Sequence, residues 1–109
     1  MVEYTFQLDS VFGALADPTR RDILRRVATK ELSVGEVAGN YELSFAAISK
    51  HLKVLEKAKM IVKRRHGKQQ FVALSPSALK SADDYLEWYR KLWEDRLDAL
   101  DKYLKEAKG

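Results

Sequence analysis

The chain has 109 residues and contains no cysteine, which excludes disulfides, thiolate metal ligands and thiol nucleophiles together. Its two imidazoles are those of His51 and His66, so a metal site would have to be built mostly from carboxylates. His51 is flanked on its predicted helix by Lys50, Val54 and Leu55, none of which offers the nucleophile or carboxylate that a catalytic histidine needs. We therefore predict no catalytic residue, no bound metal and no cofactor.

Long hydrophobic runs are also absent. No segment approaches the roughly 18 consecutive apolar residues of a membrane span, and the first residues, MVEYTFQLDS, have neither a basic start nor an apolar signal core. With 46% apolar and 33% charged residues, the composition is typical of a soluble globular protein. We predict a single domain over residues 1–109 that stays in the cytoplasm and does not contact a membrane.

Acidic residues are scarce in one part of the chain. Residues 44–72 contain eight lysines or arginines against Glu56 alone, which gives this stretch a net charge of +7, whereas residues 1–43 and 77–109 sum to −2 and −1. A basic helix that is merely solvated would carry interspersed Glu or Asp for i,i+4 pairing. The local basic patch indicates a negatively charged partner, and we predict that this partner is double-stranded DNA.

Glycine and proline are few, and two of them, Pro18 and Gly39, mark boundaries of helical patterns. The apolar pattern of residues 1–16 ends at Asp17-Pro18. Asp17 is a suitable N-cap for the next helix, and Pro18 fits its first turn, where a missing N–H costs nothing. The apolar stripe of this second helix is predicted to consist of Ile23, Leu24, Val27 and Ala28.

Ser33 and Glu36 have the spacing of a capping box, in which each side chain bonds the backbone N–H of the other residue. The short helix that they begin is predicted to end near Gly39-Asn40, because these residues tolerate a left-handed backbone. Ser44 can cap another helix after a tight connection. Residues 33–58 therefore have the pattern of a helix-turn-helix.

The helix that follows Ser44 has two different faces. Its core face is predicted to consist of Ile48, Leu52 and Leu55, with Val54 and Ala58 beside them. Its other face carries Phe45, Ala46, Ser49, Lys50 and Lys53, with His51 at the border. Small residues let a helix approach a surface closely, and a helix N-terminus favours phosphate. This face is predicted to enter the major groove of DNA.

From residue 61 the apolar period changes from helical to alternating, and Gly67 divides two β-rich runs. Residues 61–75 are predicted to form a two-stranded hairpin, which must pack on the helices because an isolated hairpin is only marginally stable. Arg64, Arg65 and Lys68 are predicted to cluster at its tip, within reach of a phosphate backbone or a minor groove. Together these elements form a winged helix-turn-helix pattern, mainly α, with about five helices and one small β-hairpin.

The last helix is predicted to be longer than the domain requires. No glycine or proline interrupts residues 77–105, a length of about 45 Å, and two apolar stripes follow the helix. We predict that a second copy of the chain covers them across a two-fold axis, with segments 1–16 and 77–107 as the dimer contact. The predicted interface residues are Val11, Phe12, Leu15, Tyr85, Trp88, Tyr89, Leu92, Trp93 and Leu100. The alternative is one very broad core face.

Two runs of the sequence resemble the ArsR family of bacterial winged-helix repressors. They are VFGALADPTRRDILRRVA and ELSVGEVAGNYELSFAAISKHLKVLEKAKMIVKRRHGKQQFVAL, which together cover most of the chain. The resemblance implies a homodimer, mated through its first and last helices, that binds a palindromic operator and represses transcription. It also implies base or phosphate contacts from Ser44, Phe45, Ala46, Ser49, Lys50, His51 and Lys53, and wing contacts from Arg65 and Lys68.

The chain departs from the family at the positions that bind metals in other members. Where metal-sensing members have an ELCVCDL run, this chain has ELSVGEV, and its last helix lacks the histidines of the other known type of metal site. The resemblance is therefore to the branch without known metal sites, and the sequence does not specify an inducer. Lys59 also stands where the family usually has glycine, at the expected left-handed end of the helix that follows Ser44, which is the recognition helix of the family.

The sequence leaves several alternatives open. His51 either hydrogen-bonds to its own domain or contacts a phosphate or base edge, and Phe45 either contacts a thymine methyl or packs on the preceding helix. The basic face could instead meet an acidic protein, which would make the chain a winged-helix protein-interaction module. The rings of Tyr85, Trp88, Tyr89 and Trp93 could line a small-molecule pocket in a repressor that senses a ligand.

Overall fold

The computed structural model describes the backbone of residues 2–108 and the side chains of residues 7–108. Five helices and three short strands follow one another along this part of the chain. In order they are α1 (Val2–Leu15), α2 (Pro18–Thr29), β1 (Leu32–Ser33), α3 (Val34–Ala38), α4 (Phe45–Lys57), β2 (Ile61–His66), β3 (Gln69–Leu74) and α5 (Ser77–Lys108). This order confirms the predicted mainly helical class with a hairpin and a long last helix.

Three helices begin at the side-chain caps expected from the sequence. The Asp17 carboxylate accepts the N–H three residues further on, at 3.0 Å. The hydroxyl of Ser33 accepts the N–H of Glu36 at 3.1 Å, and the N–H of Ser33 donates to the Glu36 carboxylate at 3.0 Å. The hydroxyl of Ser44 accepts the N–H of Ala47 at 3.1 Å. Such first-turn N–H groups have no partner inside a helix, so each cap satisfies one of them.

The ends of α3 and α4 differ from each other. Helix α3 ends at Ala38 with Gly39 as its C-cap, which confirms the predicted end near Gly39-Asn40. The expected left-handed backbone was wrong, because Gly39 has a φ of −63° and the chain leaves this helix through a right-handed turn. Helix α4 ends as expected, with Lys59 in the left-handed region at a φ of 61°. The N–H of Lys59 donates to the carbonyl of Glu56 at 2.9 Å, and that of Met60 to Leu55 at 3.0 Å. This pair of bonds is a Schellman motif.

Strands β2 and β3 form the predicted hairpin, paired from Ile61 opposite Leu74 to His66 opposite Gln69. In the two-residue loop, Gly67 has a φ of 63°, which a residue without Cβ adopts at no steric cost. The predicted two-stranded sheet has a third member, because β1 pairs antiparallel with β3 and gives the order β1-β3-β2. Two residues are too few for an alternating pattern to reveal a strand. The hairpin of β2 and β3 is the wing. Since β1 pairs with β3 and leads directly into α3, it fixes the wing to the helix-turn-helix.

The core lies between α1, α2, α3, α4, the sheet and the beginning of α5. Its largest fully buried side chains are Ile23, Ile48, Leu52, Leu55, Met60, Ile61, Val11, Val37 and Val72. Two residues predicted for core-facing stripes are exposed instead, Ala28 on α2 and Val54 on α4. Each stands at the edge of its apolar stripe, where helical spacing alone does not determine whether a side chain reaches solvent.

Tyr41 fixes the connection between α3 and α4 to helix α2. Its hydroxyl donates to the Asp22 carboxylate at 2.5 Å, and Arg26 donates to the same carboxylate at 2.8 Å. Burial, together with the hydrogen bond to Asp22, raises the pKa of Tyr41 to about 12. The bonds from Tyr41 and Arg26 lower the pKa of Asp22. The turn before α4 is therefore held by a charged hydrogen-bonded group.

Helix α5 leaves the domain after its first turns. Among its described residues Ala78 and Ala82 are buried. The protomer measures 70 × 33 × 21 Å, and its Cα radius of gyration of 19.2 Å exceeds the roughly 13 Å expected for a compact chain of this length. Most of α5 projects from the core, which contradicts the alternative of one very broad core face. No helix within residues 2–108 is both long and apolar enough to cross a membrane.

Candidate nucleic-acid interface

The surface of α4 that faces away from the core is short, small or basic. Ile48, Leu52 and Leu55 point inward and have at most 1% of their surface exposed. The residues predicted to contact DNA from this segment are exposed or partly exposed: Ser44, Phe45, Ala46, Ser49, Lys50, His51 and Lys53. The core face anchors the helix, and its outer face is left free for a partner.

The N-terminal end of α4 is open to close approach. The Ser44 hydroxyl oxygen caps the helix by accepting the N–H of Ala47, and its own hydrogen remains able to donate to a phosphate. The exposed Ala46 adds little bulk in front of the backbone. Partial positive charge at a helix N-terminus favours phosphate, and Lys50 and Lys53 add full charges one and two turns further on.

An open groove of about 440 Å³ lies between the start of α4, the start of α3 and the wing. Its lining consists of Ser33, Val34, Gly35, Phe45, Arg65, Lys68, Gln69 and Gln70. Phe45 is 65% exposed, so most of its ring is free. An apolar ring beside cationic and amide side chains has the chemistry needed to contact base edges, including a thymine methyl.

The two adjacent arginines of the wing do not form one cluster. Arg64 lies opposite Phe71 on β3, and Arg65 lies opposite Gln70. Because side chains alternate between the faces of a strand, the two arginines point to opposite sides of the sheet. Arg65 lines the groove with Lys68, whereas Arg64 does not, so the predicted cluster of all three residues at the tip was wrong for Arg64.

His51 lies at the border of the α4 surface, as predicted, and its ring contacts α2. The Nδ1 atom is 3.3 Å from Nη1 of Arg20 and 3.9 Å from Oδ2 of Asp17, and the side chain is 20% exposed. The N–H of Arg20 holds the pKa of Asp17 below its usual value, so this carboxylate stays ionised beside the ring. The structure therefore contains the hydrogen bond to the domain. A DNA contact through the other ring nitrogen remains a prediction.

The aromatic residues predicted for a dimer contact lie side by side on α1 and α5. The rings of Phe12 and Tyr85 meet edge to face with centroids 6.0 Å apart, those of Tyr85 and Tyr89 at 5.2 Å, and those of Trp88 and Tyr89 at 4.8 Å. All four side chains are exposed in the protomer. A continuous aromatic surface of this kind is typical of an interaction site.

Of the other residues predicted for the dimer contact, four are at least partly exposed and one is buried. Leu92, Trp93 and Leu100 are exposed on α5, and Leu15 is partly exposed at the end of α1. Val11 has to be removed from the predicted interface, because it is 0% exposed and belongs to the core of its own protomer. Of the predicted segment 1–16, the side chains of residues 1–6 lie outside the described part of the chain.

Three residues near these surfaces were not predicted. Gln69 and Gln70 line the groove from the wing, and Arg20 supports His51 from α2. The pairing of Gln70 with Arg65 follows from the alternation of the hairpin and could have been read from the sequence. Arg20 and His51 are 31 residues apart, and no local pattern indicates their contact.

A short helix, a tight connection, an outward-facing basic helix and a basic hairpin on one protomer define a winged helix-turn-helix protein, a class that binds double-stranded DNA. Among the described residues, no group of three or more His, Cys, Asp or Glu side chains is arranged to hold a metal ion.

Comparison with known proteins gives the family. The model of the family described as "Bacterial regulatory protein, arsR family" matches residues 17–63. The HTH-type transcriptional regulator Rv2034 of Mycobacterium tuberculosis is 40% identical over 86 residues, which cover 77% of this chain and 80% of that protein. The transcriptional repressor SdpR of Bacillus subtilis is 32% identical over 81 residues, covering 74% of this chain and 87% of that protein.

A solved structure agrees with these relatives. The crystal structure of the ArsR family transcriptional regulator RHA00566 superposes with a TM-score of 0.77 at 30% identity, over 83% of this chain and 93% of that one. The chain belongs to the ArsR family and is a transcriptional regulator, which confirms the resemblance found in its sequence.

Proposed function

We propose that the protein is a homodimeric, sequence-specific repressor of transcription that binds a palindromic operator and acts in the cytoplasm without a metal and without catalytic activity. The observation that carries this proposal is the common position of two basic elements. Phe45, on the outer face of α4, lines the same groove as Arg65 and Lys68 of the wing. Lys50 and Lys53 are exposed further along that helix. The name of the relative SdpR, a transcriptional repressor, supports repression.

Each part of the surface has its own role in this proposal. Lys50 and Lys53 bind backbone phosphates, which supplies affinity but little discrimination between sequences. Ala46, Ser49 and Phe45 approach base edges in the major groove, where hydrogen bonds and methyl contacts discriminate between bases. Arg65 and Lys68 bind the flanking backbone or the minor groove from the wing. Lys63 contributes less, because its ammonium group lies 3.6 Å from the Glu56 carboxylate.

The homodimer follows from the surface of α5. Trp88 and Trp93 are 63% and 65% exposed, and apolar residues continue along the projecting half of the helix. Water contact over this surface is unfavourable, and a second copy related by a two-fold axis can bury it on both chains at once. Two recognition helices on one duplex then read half-sites whose centres are about 34 Å apart, one turn of DNA.

Competition binding in a salt series tests the DNA assignment. A labelled duplex recovered from genomic DNA by binding to the protein should stay bound in excess random-sequence DNA, and its affinity should fall steeply with salt. The Lys50→Ala variant should bind this duplex about tenfold more weakly, with a shallower salt dependence. Lys102→Ala on α5 is the matched control, because it removes the same charge far from α4.

Two results would decide against the proposal. Equal affinity for specific and random duplexes, or equal effects of Lys50→Ala and Lys102→Ala, would favour a protein-interaction module with an acidic partner. The same assay, repeated with an acidic protein as competitor, separates the two functions.

A second candidate function is favoured by an apolar depression of about 560 Å³ on α5. Its lining consists of Leu86, Tyr89, Arg90, Leu92, Trp93 and Arg96. Its apolar and aromatic lining suits a small molecule, which would make the repressor a ligand sensor. Tryptophan fluorescence of the dimer against a metabolite panel should stay unchanged if dimer packing fills the depression, and should respond saturably if a ligand does.

A further inference from the structure

Arg20 connects three helices through the donors of one guanidinium group. Its Nε donates to the carbonyl of Ala14 at 2.8 Å and its Nη2 to the carbonyl of Gly13 at 3.1 Å, both at the end of α1. Its Nη1 lies 3.3 Å from Nδ1 of His51 on α4. The position of the guanidinium is therefore determined by α1 and α2, and the His51 ring is held against it.

This contact determines which ring nitrogen of His51 carries the hydrogen. A guanidinium has five N–H donors and no acceptor, so Nδ1 can hydrogen-bond to Arg20 only as an acceptor. The hydrogen of the neutral ring is then on Nε2. The other polar group beside Nδ1 is the Asp17 carboxylate, whose Oδ2 is 3.9 Å away and too distant for a hydrogen bond. The same Oδ2 accepts the N–H of Arg20 at 3.0 Å.

The Nε2 atom of His51 reaches solvent. It has no hydrogen-bond partner among residues 7–108, and the one buried side-chain atom without a partner in that range is Oε1 of Glu31. Because Nε2 is unpartnered and is not among the buried atoms, it is accessible at the surface. Lys50, which precedes His51 on α4, is exposed. A hydrogen-bond donor at the border of a basic face is well placed for the sugar-phosphate backbone of a duplex.

We propose that Arg20 is a positioning residue of the DNA interface, which fixes His51 with its hydrogen on Nε2 so that the ring donates this N–H to a DNA phosphate. The inference rests on the proposed DNA-binding function and adds to it the role of His51 and a residue that acts through it. Arg20 itself is occupied by α1 and by the ring. Its effect on DNA therefore depends on His51 being present.

A double-mutant cycle on the duplex recovered by selection tests this dependence. Arg20→Ala and His51→Ala should each weaken binding about tenfold, and the double variant should bind no more weakly than His51→Ala alone. Arg21→Ala is the matched control, because Arg21 donates to the carbonyl of Leu15 at the same end of α1, at 2.7 Å. This variant should retain wild-type affinity.

Two conservative variants separate the ring nitrogens. His51→Asn keeps an acceptor near the position of Nδ1 and should retain stability but bind DNA as weakly as His51→Ala. His51→Gln keeps a donor near the position of Nε2 and should recover part of the affinity. Two-bond ¹H–¹⁵N spectra of the free wild-type protein should show the hydrogen on Nε2, and Arg20→Lys should allow the other tautomer to appear.

Each outcome decides a separate question. Additive losses in the double variant would overturn the positioning role of Arg20, because its effect on binding would then not depend on His51. A hydrogen on Nδ1 in the wild type would overturn the assigned tautomer, and this measurement holds even if Arg20→Ala does not fold. If the His51→Ala variant binds DNA with wild-type affinity, this inference is overturned and the proposed function is not. Failure of the wild-type protein to bind any selected duplex would overturn the proposed function and this inference with it.

Discussion

Replacing Lys59 by glycine should stabilise the protein, because this residue ends α4 in a conformation that L-residues avoid. It is the one non-glycine residue within residues 2–108 with a positive φ, at 61°. The backbone bonds of the Schellman motif, from Lys59 to Glu56 and from Met60 to Leu55, hold it there. Leu55 and Met60 are both fully buried, so the motif cannot relax without disturbing the core.

The expected gain follows from two opposing contributions. The left-handed conformation costs an L-residue about 1–2 kcal/mol, and glycine avoids this cost. The unfolded chain gains freedom with glycine, which returns about 0.5–1 kcal/mol. Taking the midpoints of the two ranges, the net stabilisation of Lys59→Gly should be about 0.75 kcal/mol, equivalent to a rise in Tm of about 3 °C.

Urea denaturation of the wild type and the variant, at one protein concentration and without DNA, measures this difference in the free energy of unfolding. An m-value that is the same for both proteins shows that their folded and unfolded states are comparable. Lys59→Ala is the first control, because it removes the charge but keeps the Cβ, and it should give no gain. Lys57→Gly is the second, because Lys57 is helical, and it should lower stability. A Lys59→Gly variant no more stable than Lys59→Ala would refute the strain argument.

Three further predictions concern the interface, the dimer and the turn before α4. Arg65→Ala should weaken operator binding about tenfold, as measured by fluorescence anisotropy. Arg64→Ala should have a smaller effect, because Arg64 lies on the opposite face of the wing. A larger loss with Arg64→Ala than with Arg65→Ala would contradict the assignment of the groove to DNA. Trp93→Asp should give monomers in light scattering at a concentration where the wild type is dimeric, and a monomeric wild type would exclude the α5 contact. The hydrogen bonds from Tyr41 and Arg26 lower the pKa of Asp22 in the folded protein. These bonds therefore stabilise the fold fully above the pKa of Asp22 in the unfolded chain, about 4, and the stabilisation is lost as the pH falls through the lower pKa of the folded state. Asp22→Asn should therefore be less stable than the wild type at pH 7 in urea denaturation, and the two should converge in acid; a constant difference across this range would contradict the linkage.

The sequence was most informative where structure depends on neighbouring residues. The caps at Asp17, Ser33 and Ser44 need one side chain and an N–H three residues away, so their spacing is visible in the chain. The left-handed residue at Lys59 was expected from the resemblance to the family, which usually has glycine at this position. The hairpin follows from alternation around Gly67.

Features that depend on distant residues could not be predicted in this way. Strand β1 forms because Leu32 and Ser33 pair with β3, about forty residues further along the chain. Val11 and Phe12 are adjacent apolar residues, and the packing of α1 on its neighbours alone determines that Val11 is buried and Phe12 exposed. The contact of Arg20 with His51 depends on how α2 and α4 are placed in three dimensions.

The most direct test of the central claim is selection of genomic DNA fragments by the purified dimer, followed by sequencing of the bound pool. The proposed function predicts enrichment of an inverted repeat whose half-site centres are about one helical turn apart. It also predicts that the Lys50→Ala protein enriches this repeat less strongly. A bound pool with no common sequence, or an identical enrichment by the variant, would contradict the claim that α4 reads DNA.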